Sequence, residues 1–280
     1  MPAAYLQSRR FIRISGPDAE PFLQNLITTD LSSLAAGEAR PGALLTPQGK
    51  ILFDFMVSRE GDAILLETEA GQQEALARRL TMYKLRAPVD IQSPPGEGVT
   101  VLWGDETTLA GVEDVRFSKA GIRLVRVAGP VDGDPVQGDY DLLRVRAGVA
   151  ASGLDYALQD AFPHDVLMDL NGGLSFRKGC YVGQEVVSRM QHRGTARRRL
   201  VHIEAKEALP PSGTEITTGG KPVGTLGTVS GRFGLAIVRT DRVGAAIAAK
   251  TPMLAGNIAV AAELPAWSGL SFPAGEEAEP

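Results

Sequence analysis

The sequence predicts a chain of mixed α and β structure that ends in a small β-barrel. Its first 92 residues alternate between strand, helix and hairpin patterns, and from about Leu200 short strands alternate with turns rich in Gly and Pro. Regularly spaced short strands between such turns are typical of small barrels. The change of pattern predicts a domain boundary near residues 195–200, with one region over 1–195 and a barrel over 196–270.

The first region opens with a strand followed by a helix. Polar and apolar residues alternate in Phe11–Ser15, which predicts a strand. Asp18 is a suitable N-cap for a helix whose apolar residues fall at helical spacing over 22–27. Two extended runs, 39–46 and 50–59, surround a Pro-Gln-Gly turn and predict a hairpin.

Further elements follow from the same patterns. In chain order we expect a strand at 63–68, a helix at 72–83, strands at 88–92, 99–103 and 122–127, and helices at 139–150 and 185–190. In the helix 139–150, Leu142, Leu143 and Val149 are expected to face inward. Arg144 and Arg146 lie off that face, where a solvated charge is the ordinary expectation.

Composition excludes several classes of protein. The 280 residues are 44% hydrophobic and 22% charged, and they include one cysteine and three histidines. One cysteine excludes an internal disulfide framework and an all-cysteine metal site within one chain. The sequence shows neither a signal peptide nor a long apolar segment, so we expect no membrane contact and a cytosolic location. The tail 271–280 is expected to be disordered.

Charge is distributed unevenly along the chain. The net charge is −4 and the pI is about 5.5, which argues against direct nucleic-acid binding. Between Arg177 and Arg199, however, seven basic residues accompany a single acidic one, Glu185. A local basic surface on an acidic protein favours a small anionic ligand.

The single cysteine lies in the run Lys178-Gly179-Cys180-Tyr181-Val182-Gly183-Gln184-Glu185. A lone cysteine is most often a small buried hydrophobic residue. Here the flanking glycines allow a ligand to approach the backbone, and a neighbouring lysine can lower the pKa of the thiol. The run therefore indicates a functional site. Cys180 could act as a nucleophile, as a ligand to iron or a cluster shared with a partner, or as a redox-sensitive thiol.

This run, together with Arg189-Met190 and Arg193-Gly194, resembles the signature of the YgfZ family. These folate-binding proteins are related to the glycine-cleavage T-protein, an aminomethyltransferase, and to a mitochondrial iron–sulfur assembly factor. The segments 16–30 and 45–50 match the family as well, so the resemblance covers nearly the whole chain. It implies an α+β fold of three lobes, in which two interleaved ferredoxin-like lobes precede the C-terminal β-barrel.

The resemblance also implies a bound tetrahydrofolate. Its anionic tail would need cations, for which Arg144 and Arg146 are the candidates, and its pterin would need a carboxylate from the segment that contains Asp165. Many relatives carry Glu at this last position, and a carboxylate at the start of a helix is the alternative role of Asp165.

The cysteine run supplies the remaining candidate residues. Cys180 and Lys178 are the candidates for chemistry, and Tyr181, Gln184 and Glu185 are candidates for contact with folate. Packing is the alternative role of Tyr181, and stabilising the start of a helix is the alternative role of Gln184 and Glu185. A Cys–His hydrolase receives little support, because the nearest histidine, His192, reads as a surface residue.

These inferences predict a tetrahydrofolate-binding accessory protein that supports the assembly or repair of iron–sulfur enzymes, including enzymes that modify tRNA. Its partners would be folate and iron–sulfur client or assembly proteins. One alternative is a folate-dependent aminomethyl or one-carbon transferase, and a second is a non-catalytic protein-interaction scaffold. Whether the chain is an enzyme stays open at this point.

Overall fold

The computed structural model describes residues 2–96, 98–104, 110–131 and 137–273. The chain divides into two compact units, each made of two segments. The first unit comprises Met1–Gln137 and Met168–Val186, and the second comprises Gly138–Leu167 and Val187–Pro280. Of the tail predicted to be disordered, 274–280 lies outside the described residues.

The first unit is built on a nine-stranded sheet. Its strands, in chain order, are β1 (Ala3–Leu6), β2 (Arg9–Ser15), β3 (Glu38–Leu45), β4 (Ile51–Glu60), β5 (Ala63–Glu69), β6 (Asp90–Gln92), β7 (Val99–Trp103), β8 (Val112–Asp114) and β9 (Leu124–Ala128). Their order across the sheet is β1-β7-β9-β8-β3-β4-β5-β2-β6. All neighbouring strands are antiparallel except β3 and β8.

The sheet order shows the predicted interleaving of the chain. The strand β1 pairs with β7, whereas β2, only two residues later, pairs with β5 and β6 in the other half of the sheet. The parallel pair of β3 and β8 joins the two halves. The N-terminus therefore crosses from one half to the other within its first ten residues.

Three helices accompany this sheet, namely α1 (Ala19–Gln24), α2 (Ala70–Lys84) and α3 (Val115–Ser118). Leu76 and Leu80 of α2 are buried, and they belong to a core cluster that includes Ile12, Ile14 and Leu66. Because these helix positions are four residues apart, they share one face and can cover the sheet.

The first helix is shorter than its sequence pattern predicts. It ends at Gln24 rather than continuing to residue 27. The Gln24 side chain accepts a hydrogen bond from Leu31 N (2.9 Å) and donates one to Asp30 Oδ1 (2.8 Å). These bonds stabilise the turn that follows, which brings Ile27 and Thr28 to the start of the candidate site.

The second unit contains a closed barrel of six strands. They are β10 (Arg198–Ala205), β11 (Glu215–Thr218), β12 (Lys221–Ser230), β13 (Phe233–Arg239), β14 (Met253–Ala255) and β15 (Ile258–Glu263). Their order is β10-β13-β12-β11-β14-β15, and β15 pairs with β10 to close the barrel. Alternate residues such as Val201 and Ile203 fill its core.

Three further helices are α4 (Gln137–Ala147), α5 (Gln184–His192) and α6 (Thr240–Ala248). The first two agree with the sequence pattern to within a few residues. The third was not predicted, because the sequence after Leu200 reads as strands and turns. Only the spacing of Val243 and Ala246, which are both buried, indicates a helical face there.

Candidate functional site

The cysteine run lies in an irregular segment directly before α5, and Lys178 holds this segment to the first unit. The Lys178 side chain is buried, and its Nζ donates hydrogen bonds to the carbonyl oxygens of Ile27 (2.7 Å) and Thr29 (2.8 Å). Both carbonyls come from the turn after α1. The lysine therefore joins two segments about 150 residues apart in sequence.

The residues around Lys178 form a continuous network of hydrogen bonds. Thr28 Oγ1 donates to Gly173 O (2.6 Å) and accepts from Ala43 N in β3 (2.9 Å), while Ser175 N donates to Thr28 O (3.0 Å). Ser175 Oγ in turn accepts from the backbone N of Lys178 (3.3 Å). Thr28 thus links the segment that precedes Cys180 to strand β3.

The electrostatics of Lys178 reflect this buried position. Burial lowers the pKa of Lys178 to about 8, although the nearby Asp30 carboxylate acts to raise it. The ammonium group also lies 5.3 Å from the centre of the Tyr181 ring. An ammonium directed at two carbonyls and an aromatic face is well suited to hold the loop in place.

Tyr181 has a packing role in the same loop. Its side chain is buried, its hydroxyl donates to Ser175 O (3.1 Å), and burial raises the pKa of the phenol. This arrangement agrees with the packing alternative for Tyr181. Its predicted contact with folate stays a prediction.

The other end of the loop is held by close contact with the β3–β4 hairpin. Gly183 has φ +80°, and a Cβ at this position would lie 2.5 Å from Thr46 O. No side chain fits at that distance, so the turn and the loop can meet only if residue 183 is glycine. Close backbone packing therefore explains why residue 183 is glycine.

Cys180 itself is exposed on this anchored loop. The common role of a lone cysteine, as a small buried hydrophobic residue, therefore does not apply here. Lys178 and Gly183 fix the backbone on the two sides of Cys180, while the thiol faces solvent. This combination gives a thiol with a defined position that an external group can reach.

Metal ligands are scarce around this thiol. Within the described ranges, no group of three or more His, Cys, Asp or Glu side chains is arranged to hold a metal ion. A [2Fe–2S] or [4Fe–4S] cluster needs four protein ligands, usually thiolates. A chain with one cysteine can thus supply at most one thiolate.

Gln184 and Glu185 begin α5, and Gln184 N donates to Tyr181 O (3.2 Å). Glu185 lies in the first turn, where a carboxylate is favoured by the helix dipole. These positions agree with the structural alternative for both residues. His192, at the other end of α5, is exposed as expected of a surface residue.

The structure gives Arg144 a different environment from the solvated position expected from the sequence. Its side chain is buried in the second unit. The guanidinium bonds with Asp155 Oδ2 (2.9 Å), Thr228 Oγ1 (2.8 Å), Val149 O (3.0 Å) and twice with Asp141 Oδ1. All five N–H donors have an acceptor, so contact with folate would require some of these bonds to break.

A β-bulge in β12 makes this arrangement possible. The strand register shifts between Leu226 and Val229, which frees Thr228 N to donate to Asp155 Oδ1 (2.7 Å). A Cβ at Gly227 would lie 2.4 Å from the same oxygen. Arg144 and Asp155 thus connect α4 to the barrel. Asp155 was not predicted as a site residue, because it lies between regular elements.

Asp165 is also buried and already bonded. Its Oδ2 accepts from Phe162 N (3.0 Å) at the start of a 3-10 helix, Pro163–Val166, and lies 3.5 Å from Nε of Arg198. This is the helix-start role that the sequence left as the alternative. Its contact with a pterin is a prediction that the geometry does not favour.

The basic surface predicted between Arg177 and Arg199 is smaller than its sequence indicates. Lys178 is buried as described above, and Arg199 is buried with its NH1 donating to His164 O (2.8 Å). Arg177, Arg193 and Arg197 are exposed. The charge run is therefore partly structural, because two of its seven cations bond backbone carbonyls.

Arg146 is the predicted folate contact that does face open space. It is exposed, and it borders a cavity of about 200 Å³ in the second unit. The cavity is also lined by His202, Phe233 and Glu263. This volume lies below the range of about 300–1,000 Å³ that is typical of ligand pockets. It is too small for a whole folate, and the carboxylates of Glu204 and Glu263 line it together with Arg146.

Two family models match the chain, one in each unit. The GCVT N-terminal domain matches residues 6–103, and the C-terminal β-barrel domain of CAF17 matches residues 197–270. In addition, the structure of the glycine cleavage system aminomethyltransferase T from Bartonella henselae is similar, with a TM-score of 0.67 over 92% of this chain and 83% of that chain. At 17% identity this likeness shows the fold alone, and it confirms the predicted fold class.

Curated relatives identify the family of the chain more specifically than the two domain models do. The human mitochondrial iron–sulfur cluster assembly factor IBA57 is 30% identical over 299 aligned residues, covering 94% of this chain and 84% of the human protein. The mitochondrial IBA57 homologue of Chaetomium globosum is 33% identical, covering 71% of this chain. The chain spans 55% of the length of that fungal relative.

These relatives correct the expected location. All are named as mitochondrial proteins, so the prediction of a cytosolic location is wrong. The prediction relied on composition and the lack of long apolar segments, which do not distinguish one aqueous compartment from another. In the described parts of the chain, every helix is too short or too polar to cross a bilayer. On the identity and coverage shared with the human protein, the chain belongs to the family of the iron–sulfur cluster assembly factor IBA57.

Proposed function

We propose that this chain is an accessory factor in iron–sulfur cluster assembly, and that Cys180 supplies one thiolate to a cluster held jointly with a partner protein. The observation that carries the proposal is an exposed thiol on a loop anchored on both sides. Anchoring fixes where the sulfur lies, and exposure lets a second protein bring the cluster to it.

The number of thiolates that this chain can supply supports a cluster shared with a partner rather than a cluster held by this chain alone. Cys180 is the only cysteine in the sequence, so at least three of the four ligands must come from elsewhere. The cluster is then the cargo of the complex, and the partner supplies most of its ligands. Client enzymes, including those that modify tRNA, would receive it afterwards.

Within this proposal Lys178 is a positioning residue. Its ammonium bonds the carbonyls of Ile27 and Thr29 and thereby sets the path of the chain two residues before the thiol. Removing this side chain would free the loop and spread the positions that the thiol samples. The chemistry of cluster ligation would remain with Cys180.

The test mixes the purified full chain with a purified iron–sulfur carrier protein loaded with a [2Fe–2S] cluster. We expect a complex that co-elutes on size exclusion and shows a changed visible circular dichroism spectrum. Cys180→Ser should abolish the spectral change. A variant that combines Cys180→Ala with Ser212→Cys moves the thiol to another exposed position, and it should remain inactive.

Restoration of the spectrum by the moved thiol would show that any exposed thiol suffices. Retention of full cellular iron–sulfur enzyme activity by Cys180→Ala would favour the scaffold alternative instead. Formation of methylenetetrahydrofolate from an aminomethyl-lipoyl carrier, at a typical enzyme rate of about 1 per second or more, would favour the transferase alternative.

Binding of tetrahydrofolate is a second proposal, and Arg146 is the residue that favours it. This cation is exposed beside a cavity with an aromatic wall, whereas Arg144 and Asp165 are already bonded within the second unit. Titration calorimetry with tetrahydrofolate should give micromolar affinity that weakens in Arg146→Ala. Absence of binding at millimolar ligand would remove the proposal, while leaving the role of Cys180 unaffected.

A further inference from the structure

The end of α2 carries two large apolar side chains in solvent. Met82 is 64% exposed and Leu85 is 87% exposed, and they are two of only four large hydrophobic residues that the described part of the chain leaves in solvent. The other two, Leu154 and Ile247, lie far apart in sequence. Met82 lies in the last turn of α2 and Leu85 directly follows the helix, so both exposed apolar side chains lie at the same end of α2.

Leu85 is also held in a strained backbone conformation. Its φ is +49° and its ψ is −109°, at the C-cap of α2. Residues with a Cβ rarely adopt a positive φ, and glycine is the usual choice at this position of a helix. The sequence here places a bulky apolar side chain where glycine would be more stable.

The chain around Leu85 imposes this conformation. Ala87 N donates to Lys84 O (2.8 Å), which closes a tight turn, and Val89 is buried directly afterwards. Gly16 packs so closely here that a Cβ on it would lie 2.5 Å from Pro88 O. Strain that the surroundings fix in this way is a common mark of a functional position.

Three cations lie close to Met82 and Leu85 in the chain. The side chains of Arg79, Lys84 and Arg86 make no hydrogen bond or ion pair with any residue that the structure describes. The acidic neighbours are already engaged, because Glu74 pairs with Arg78 (2.5 Å) and Asp90 accepts from Gln92 (2.5 Å). Asp90 keeps its negative charge in that bond, so residues 79–90 carry three cations against one carboxylate and are net positive.

We propose that this surface, formed by Arg79, Met82, Lys84, Leu85 and Arg86 and here called the α2 tip, docks a partner protein through an acidic segment with apolar side chains. Apolar contacts would cover Met82 and Leu85, and carboxylates would pair with the three cations. A desolvated apolar centre inside a charged rim is the usual anatomy of a protein interface.

The proposal goes beyond the ligand role of Cys180 and does not depend on it. Its test uses the full chain with a photoreactive amino acid in place of Leu85, expressed in cells that depend on the chain. The same amino acid in place of Leu154 is the matched control, because Leu154 is exposed outside the α2 tip. Cross-linked peptides are then identified by mass spectrometry.

We expect one partner protein, linked through a segment that contains both acidic and apolar residues. The partner is then purified, and its affinity is measured without a cluster so that thiol ligation does not contribute. Leu85→Gly should weaken binding at least tenfold, which is about 1.4 kcal/mol. The same change should leave the melting temperature equal or higher, since glycine relieves the positive φ.

Charge gives a second, independent measure with the same purified partner. Arg86→Glu should weaken binding at least tenfold, and added salt should weaken binding of the parent chain. The proposal is overturned if position 85 cross-links no more than position 154, if it links mainly to lipid or to a second copy of this chain, or if Leu85→Gly binds as tightly as the parent.

Discussion

At the scale of single residues, the structure gives several charged side chains of the predicted site contacts within the fold. Lys178 is predicted to tune the thiol, yet its ammonium bonds two backbone carbonyls. Arg144 is predicted to bind a folate tail, yet all five of its donors are used within the second unit. Sequence identifies such residues as important, but it does not show which partners they meet.

The lowered pKa of Lys178 predicts how stability depends on pH. The pKa falls from 10.5 in the unfolded chain to about 8 in the folded protein, so between these values the unfolded state binds more protons. The free energy of unfolding should therefore rise as pH increases from 8 to 10.5. At about 1.4 kcal/mol per pK unit, the gain is about 3 kcal/mol at most.

Chemical denaturation at several pH values measures this effect in the parent and in Lys178→Met. The parent should gain stability relative to the variant across that window. Lys119→Met, which removes an exposed lysine, should keep the slope of the parent. Equal slopes in the parent and in Lys178→Met would show that the folded protein does not penalise this charge.

At the scale of elements, contacts between loops and strands decide the geometry of the site. The hairpin, α2 and the boundaries of most strands could be predicted from alternation and helical spacing. The contact between the Cys180 loop and the β3–β4 turn could not be predicted, because it joins residues 46 and 183 and depends on three-dimensional packing. The bulge in β12, where Thr228 N donates to Asp155, could not be predicted for the same reason.

The close approach at Gly183 predicts a sharp difference between two glycines of the motif. Gly183→Ala places a Cβ 2.5 Å from Thr46 O at a φ of +80°, so it should lower stability by about 1–3 kcal/mol and weaken the cluster complex. Gly179→Ala meets no atom within 4 Å and should leave the melting temperature unchanged. Thermal melting of both variants checks this contrast, and similar melting temperatures would contradict it.

A buried ion network within the first sheet gives a second prediction at this scale. Arg126 of β9 bonds Glu67 of β5 and Asp114 of β8 (3.0 Å), and Arg9 of β2 bonds Glu67 (2.7 Å). Glu67→Gln leaves the buried guanidinium of Arg126 and the partly buried guanidinium of Arg9 without their shared carboxylate. It should therefore cost about 3–5 kcal/mol in the free energy of unfolding.

The pH dependence of this network has the same sign as that of Lys178, because folding lowers both pKa values, but it falls in the acid range. Burial alone would raise the pKa of Glu67, but Arg126 and Arg9 lower it from 4.5 to about 2. Its contribution is complete above pH 4.5 and is lost as pH falls toward 2. Glu60→Gln, which breaks an exposed pair with Arg13, is the control and should change stability by less than about 1 kcal/mol. An equal loss in both variants would contradict the account.

At the scale of the whole molecule, the resemblance in sequence predicted the fold class. The alternation and helical spacing of apolar residues predicted most of its strands and helices. The contacts that each residue of the motif makes could not be predicted from the sequence. Lys178, Tyr181 and Gly183 anchor the loop, whereas the Cys180 side chain is exposed. The loop thus presents an exposed thiol at a defined position, as the proposed shared cluster would require.

The most direct test of this account is the visible circular dichroism of a [2Fe–2S] carrier protein mixed with the full chain. The account predicts a new spectrum with the parent, loss of that spectrum with Cys180→Ser, and a weakened spectrum with Lys178→Met. An unchanged spectrum with Cys180→Ser would show that the thiol does not ligate the cluster, and it would contradict the central claim.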